Sequence, residues 1–269
     1  MSDHALKLID RPACGYFGKV PLTGDFIRHT LPEGFLRPWD LWLQTAIERS
    51  RTDLEEHWLK YYLTSPVWRF ALSAGICGER PAVGVMMPSV DQVGRYFPLC
   101  LAAVLPHEVR PAIVAATEGE WFWKAECTVR ASLEDGFELR VLDAAVRDIG
   151  LPAAGEGPIP PRPPQGRRPA RPAEANVRYG WDSLRVDLGG DDLHLVYPDL
   201  LDRLLARSLD PYSLWWTLGS EDVDPVLIAC RGLPPADQFA AFLDGAWERW
   251  GWGETSGRPS GAGFLVGVR

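Results

Sequence analysis

The chain has 269 residues and a formal net charge of −8, and 46% of its residues are hydrophobic. This composition supports a folded protein with a substantial core and excludes a disordered one. The negative charge disfavours nucleic acid and anionic lipid as partners, because the field of the protein would repel both. No stretch approaches the ~20 apolar residues that cross a bilayer, and residues 1–11 lack the apolar core of a signal peptide. We therefore expect a soluble cytoplasmic protein without membrane insertion.

The first 150 residues predict alternating strands and helices. Apolar residues recur on one face at helical spacing from residue 35 to 50, and Pro38 suits the first turn of that helix. Several apolar runs have the length of a strand and are bounded by glycine or proline. The predicted strands are 15–20, 67–73, 82–87 and 97–105, and the predicted helices are 35–50, 53–63 and 112–133.

Proline dominates residues 151–175, where large apolar side chains are almost absent. Proline removes backbone donors and favours an extended chain, so this segment is predicted to be a linker or a surface loop. A proline-rich ligand for a partner's aromatic groove stays open as an alternative.

The C-terminal part of the chain predicts further strands and helices. The alternating residues 184–188 and the segments 193–197, 214–218 and 226–229 are strand-like. Asp199 is expected to cap a helix that continues to Ser208, and a final helix is expected over 239–250. The predicted organisation is an N-terminal α/β region over 1–150, the proline-rich segment over 151–175, and a C-terminal α/β region over 176–269 that completes the same sheet.

Short glycine-, aromatic- and proline-containing motifs recur along nearly the whole chain outside the proline-rich segment. The motifs are Gly15-Tyr16-Phe17-Gly18-Lys19-Val20-Pro21, Gly24-Asp25-Phe26, Pro38-Trp39-Asp40, Trp42-Leu43, Pro88-Ser89-Val90-Asp91-Gln92-Val93-Gly94-Arg95, Ser213-Leu214-Trp215-Trp216, Gly219-Ser220, and Cys230-Arg231-Gly232-Leu233-Pro234 before Phe239. Their order and spacing resemble one family, the TagF/ImpM proteins of bacterial type VI secretion.

The resemblance implies a three-layer α/β sandwich, in which helices cover a central mixed sheet. It also implies a non-enzymatic accessory regulator that represses secretion post-translationally by binding the forkhead-associated scaffold protein of the system. Other baseplate or membrane-complex components are possible partners. Besides the regulator, a further interpretation is that the protein is a fixed structural component of the baseplate.

No known cofactor or metal motif is present in the sequence. Gly15, Gly18 and Lys19 resemble part of a phosphate-binding loop, but their spacing fails the required pattern and Val20 follows the lysine. The five histidines and five cysteines show no metal-ligand spacing. We therefore expect no cofactor, no metal and no catalytic residue.

Five residues in or near the motif loops are candidates for partner binding: Asp25, Arg69, Asp91, Arg95 and Tyr96. Asp25 and Asp91 neighbour glycines, where an aspartate commonly fixes a turn through hydrogen bonds to the backbone. Arg69 is expected to pair with one of these two aspartates. The alternative is a hydrolase that uses Asp25 and Asp91 near Arg69 and Arg95.

Overall fold

A single seven-stranded sheet organises the part of the chain that the structure, a computed structural model, describes: residues 12–134, 136–153 and 193–253. The strand order is β2-β1-β5-β4-β3-β6-β7. The strands are β1 (Ala13–Gly18), β2 (Ile27–His29), β3 (Trp68–Leu72), β4 (Ala82–Met87), β5 (Leu99–Val104), β6 (Tyr212–Thr217) and β7 (Val226–Arg231).

All neighbouring strands in this sheet run antiparallel. The prediction of a mixed sheet is therefore wrong, whereas the α/β class is confirmed. Four of the six neighbouring pairs (β1–β2, β3–β4, β4–β5 and β6–β7) join strands that are consecutive in the chain, and antiparallel pairing accepts such short connections. The three-layer description stays a prediction.

Helices lie between β2 and β3, between β5 and β6, and after β7. They are α1 (Glu33–Leu54), α2 (Trp58–Thr64), α3 (Pro111–Thr117), α4 (Gly119–Ala131), α5 (Leu139–Ile149), α6 (Leu193–Ser208) and the single turn α7 (Ala241–Asp244). Among the described residues, none of these helices combines the length and the apolar character that a bilayer crossing requires.

The sheet separates two hydrophobic clusters, because successive side chains of a strand point to opposite faces. Phe70 and Trp215 belong to one cluster together with Trp39 of α1; we call this side the α1 face. Ala71 belongs to the other cluster with Phe122 of α4, and we call that side the α4 face. Helices α1, α2 and α7 contribute to the α1 face, and α3, α4, α5 and α6 contribute to the α4 face.

Aromatic rings fill the α1 face. The Trp39 ring lies 4.6 Å from the Phe70 ring and stacks 6.0 Å from the Trp215 ring, measured between centroids. Phe242 of α7 meets Trp215 edge-on at 5.7 Å. Such contacts add to the stabilisation that burial of the rings already provides.

Several predicted elements have different boundaries or a different type. Residues 193–197 are helical rather than extended, and Asp199 lies inside α6 instead of capping it. A five-residue segment is too short to distinguish a period of 2 from one of 3.6, and the helix continues through Pro198.

The predicted helices 112–133 and 239–250 are both interrupted. The first divides between α3 and α4 at Glu118, directly before Gly119. The second is reduced to α7 and flanking 3₁₀ turns, because Gly245 adopts φ 68° and a Cβ there would lie 2.3 Å from the Asp222 carbonyl oxygen. The predicted helix 53–63 also differs: α1 continues to Leu54, and a 3₁₀ turn leads to α2.

The C-terminal strands β6 and β7 lie in the same sheet as β1 to β5, since β6 pairs with β3 along residues 69–72. Residues 154–192 contain most of the proline-rich segment and the predicted alternation at 184–188, and they lie outside the described residues.

We expect the substitution Trp215→Ala to lower the free energy of unfolding by about 3–5 kcal/mol, because it removes a large side chain from a close-packed core. Trp215 is fully buried, whereas Trp123 is mostly exposed. The matched control Trp123→Ala should change this free energy by about 0.5 kcal/mol or less. Urea unfolding followed by circular dichroism measures both, and equal effects would contradict the assigned core.

Candidate functional site

Two motif loops lie side by side at one end of the sheet. We define them as residues 19–26, between β1 and β2, and residues 88–97, between β4 and β5. The backbone N–H of Gln92 donates to the Thr23 carbonyl oxygen at 3.0 Å. The Arg95 guanidinium donates to the Gly24 carbonyl oxygen. The sequence motifs around Asp25 and Asp91 therefore form one surface.

The carboxylate of Asp91 is the centre of this arrangement. Its Oδ2 accepts from Lys19 Nζ and from Arg95 Nε, both at 2.7 Å. Its Oδ1 accepts from the backbone N–H groups of Val93 at 3.0 Å and Arg95 at 2.8 Å. Asp91 is 3% exposed and Lys19 is 5% exposed, so this ion pair lies inside the protein.

The environment of Asp91 keeps it ionised. Burial by itself would raise its pKa, but the Lys19 ammonium, the Arg95 backbone N–H and guanidinium, and the Val93 backbone N–H outweigh that effect and hold the pKa well below its usual range. A carboxylate with both oxygens occupied by four donors is poorly suited to accept a proton or attack a substrate. Its geometry is that of a structural clamp.

The 88–97 loop closes on itself around this clamp. The Asp91 backbone N–H donates to the Arg95 carbonyl oxygen, and the Gly94 N–H donates to the Asp91 carbonyl oxygen, both at 3.0 Å. Gly94 has φ 84°, a conformation that side chains other than glycine rarely adopt. Val90 and Tyr96 form an antiparallel bridge across the base of the turn.

The glycines before Lys19 serve close packing of the backbone. A Cβ on Gly15 would lie 2.0 Å from the His29 carbonyl oxygen, and one on Gly18 would lie 2.2 Å from the Pro98 carbonyl oxygen. These contacts account for the glycine pattern that resembles part of a phosphate-binding loop. Lys19 is held by Asp91.

Exposed apolar side chains lie on the motif loops above the buried ion pair. Val93 is 68% exposed and Phe26 is 45% exposed. The Phe26 ring is fixed by stacking on Phe17 at 5.4 Å and by an edge contact with Phe97 at 4.8 Å between centroids. Lys19 Nζ lies 5.0 Å from the centroid of the Phe26 ring. Asp25, beside Phe26, is exposed.

Tyr96 connects the motif loops to helix α2. It is partly buried, and its ring meets the rings of Trp58 and Tyr62 edge-on at 5.8 and 5.7 Å between centroids. Tyr62 in turn donates its hydroxyl to the Ser89 carbonyl oxygen at 2.8 Å. An open groove of about 330 Å³ adjoins Tyr96 and is lined by Arg51, Glu55, Glu56, Trp58, Leu59 and Tyr96.

Arg69 lies apart from the other candidates. Its side chain is on the α4 face, where it pairs with Glu126 and lies 5.9 Å from the centroid of the Phe122 ring. The prediction that Arg69 bridges Asp25 or Asp91 is therefore wrong. A semi-buried arginine needs a carboxylate partner, and α4 supplies one from an element that the sequence places far from Arg69.

Lys19, Phe26 and Val93 are the residues that sequence reasoning missed. Lys19 carried a usable signal, because it continues an apolar strand and a lysine buried there requires an acidic partner. Val93 and Phe26 carried none, since an apolar residue in a polar loop can be exposed or buried. Within the described ranges, no group of three or more histidine, cysteine, aspartate or glutamate side chains could hold a metal ion.

Comparison with known protein families matches residues 15–149 to the TagF N-terminal domain, which is type VI secretion system-associated. The chain belongs to the TagF family. The matched region contains both motif loops and Asp91. A search of curated proteins found no match.

The fold of this TagF family member is similar to that of a solved bacterial protein, PA0076 from Pseudomonas aeruginosa PAO1, known from a crystal structure. The two share 31% sequence identity with a TM-score of 0.70, over 93% of this chain and 100% of the other. The similarity therefore extends beyond the N-terminal domain to the C-terminal strands.

We expect Asp91→Asn to lower the melting temperature by several degrees, because Lys19 would keep its charge without a buried counter-ion. Asp25→Asn is the control, since Asp25 is exposed, and it should change the free energy of unfolding by about 0.5 kcal/mol or less. Thermal unfolding at neutral pH compares the two variants. Equal melting temperatures would contradict the role of Asp91 as a clamp.

The stability of the wild-type protein should also depend on Asp91 in acid. Its pKa is depressed in the folded state, so its contribution is complete above the unfolded value of about 3.9 and is lost as the pH falls below that value. Between pH 5 and pH 3, as an order-of-magnitude window, the wild type should lose more stability than Asp91→Asn. Parallel pH profiles for the two proteins would contradict this assignment.

Proposed function

We propose that this chain is a non-enzymatic accessory regulator of type VI secretion, which represses assembly post-translationally by binding the forkhead-associated scaffold protein of the system. Membership of the TagF family supports the link to type VI secretion. The partner and the repression follow from the resemblance stated above. The proposal places the protein in the cytoplasm, and it retains the three-layer sandwich as the description of the fold.

The single observation that carries a binding role is the composition of the motif-loop surface. The buried ion pair of Lys19 and Asp91 fixes the loops, and Val93 and Phe26 are exposed on them among polar side chains. Protein interfaces usually have an apolar core surrounded by a polar rim. Because the loops need little further ordering, binding loses little conformational entropy.

The polar rim of this patch consists of the remaining candidates. Asp25 is exposed beside Phe26, and the side chain of Arg95 is 57% exposed although its Nε binds Asp91. Arginine and aromatic side chains are enriched among the residues that dominate binding energy. Val93, Phe26, Arg95 and Tyr96 are therefore the expected contacts, and Asp91 acts by holding the loops in place.

No observation favours the hydrolase alternative. It needs Asp91 as an acid, a base or a nucleophile, and its carboxylate is buried and bound to Lys19 and Arg95. It also needs Arg69 beside the aspartates, and Arg69 pairs with Glu126.

The test is the affinity of purified protein for the purified forkhead-associated scaffold protein of the same bacterium. We expect Val93→Asp to raise the dissociation constant at least about tenfold, which corresponds to about 1.4 kcal/mol, because it buries a charge at an apolar contact. Leu41→Asp is the matched control, since Leu41 of α1 has the same exposure, 68%, as Val93. Calorimetric titration measures both.

Two results would contradict the proposal. One is the absence of binding by the folded wild-type protein, which would remove the partner. The other is equal affinity for Val93→Asp and Leu41→Asp, which would place the contact elsewhere. Circular dichroism spectra identical to the wild type are required of both variants.

A further inference from the structure

The two edges of the sheet differ in how well they are protected against pairing with another strand. β2 has only three residues, and a very short edge strand offers few groups for pairing. β7 has six residues, Val226–Arg231, and contains neither proline nor lysine. Among the described residues, β7 is the last strand on its side of the sheet.

The direction in which the β7 backbone groups point follows from three hydrogen bonds at one end of the β6–β7 pair. The Gly232 N–H donates to the Pro211 carbonyl oxygen at 2.6 Å, and the register places Tyr212 opposite Arg231. On its other side, Tyr212 bonds to Ser73, which follows β3. The Tyr212 carbonyl oxygen accepts from the Ser73 backbone N–H at 2.9 Å. The Tyr212 N–H donates to the Ser73 hydroxyl at 2.8 Å. In an antiparallel pair these directions alternate from one residue to the next.

The N–H and carbonyl groups of Leu227, Ala229 and Arg231 therefore point away from β6. The side chains of the same three residues are exposed, and Leu227 is 61% exposed. Leu218, just beyond the end of β6, is also largely exposed. Within the described ranges no strand lies beyond β7, so this edge presents backbone donors and acceptors together with the apolar side chains of Leu227 and Ala229, a composition that pairs with another strand.

We propose that β7 is a self-association surface, on which a second copy of this chain pairs its own β7 in antiparallel fashion about a two-fold axis at Ala229. The outward-pointing residues are spaced symmetrically, with Ala229 midway between Leu227 and Arg231. Ala229 therefore faces Ala229 of the second copy, and Leu227 of each copy faces Arg231 of the other.

This pairing is self-complementary, as a two-fold interface requires. The three outward-pointing residues of each copy would exchange about six backbone hydrogen bonds across the axis. The small side chain at the axis avoids a clash, and Arg231 keeps its guanidinium on the Asp210 and Ser208 carbonyl oxygens of its own chain. The product is a continuous antiparallel sheet through both copies.

Sedimentation equilibrium of the full chain, over a range of protein concentrations, tests this inference in the absence of any partner. We expect the wild type to be a concentration-dependent dimer. Ala229→Lys should be monomeric at the same concentrations, because two lysines would face each other at the axis. Ala144→Lys is the matched control: Ala144 is exposed on α5, which packs near β1 at the opposite side of the sheet, and this variant should dimerise like the wild type.

A cross-link makes the test independent of dimer affinity. Directly opposed residues of a hydrogen-bonded antiparallel pair have Cα atoms about 5.5 Å apart, which a disulfide can bridge. In a Cys127→Ser background, which removes the exposed native thiol, Ala229→Cys should form a disulfide-linked dimer under mild oxidation and Ala144→Cys should not.

A monomeric wild type with no cross-link through residue 229 would overturn the inference. So would a dimer that Ala229→Lys leaves intact. A monomer whose Leu227 and Ala229 amides are protected from hydrogen exchange would also overturn it, and would show that residues outside the described ranges cover this edge. None of these three results bears on the motif loops, which lie between other strands.

Discussion

The buried ion pair between Lys19 and Asp91 is the interaction on which the candidate site depends. It joins the residue that follows β1 to the turn between β4 and β5, two segments separated by 72 residues in the chain. A buried ion pair adds little net stability compared with apolar packing, but it strongly penalises arrangements that separate its members. The pair therefore specifies the geometry of the two loops more than it stabilises the fold.

The binding role proposed above relies on the fixed geometry of the two motif loops. The same carboxylate that receives Lys19 and Arg95 also receives two backbone N–H groups, so no part of it is left for chemistry. Charge is satisfied inside, and Val93 and Phe26 remain exposed outside. An accessory protein that acts by masking a surface needs this combination, and it needs no nucleophile.

The aromatic packing of the α1 face supports these loops from below. Tyr96 leaves the 88–97 loop and meets Trp58 and Tyr62 of α2, and Tyr62 both donates to the Ser89 carbonyl oxygen and accepts from the Ser89 N–H. The loops are consequently continuous with the core, and a change at α2 would reach them through rings in direct contact.

Sequence patterns predicted the central strands well, because β4 and β5 are continuous apolar runs and β3 is apolar except for Arg69. They failed for β2, which has three residues, and for the C-terminal helix, which Gly245 interrupts through its contact with Asp222. The order of the strands and the partner of Arg69 could not be predicted, since both depend on contacts between distant segments. Asp91 was found as a turn residue, but its pairing with Lys19 required the fold.

Hydrogen–deuterium exchange of the protein in complex with the forkhead-associated scaffold protein tests the central claim most directly. We expect amide exchange to slow in residues 19–26 and 88–97, at the surface where Gln92 and Thr23 meet. Exchange in the interior of β4 and β5 should stay unchanged, because those amides are already bonded within the sheet. Slowed exchange confined to other segments would contradict the assignment of the motif loops as the binding surface.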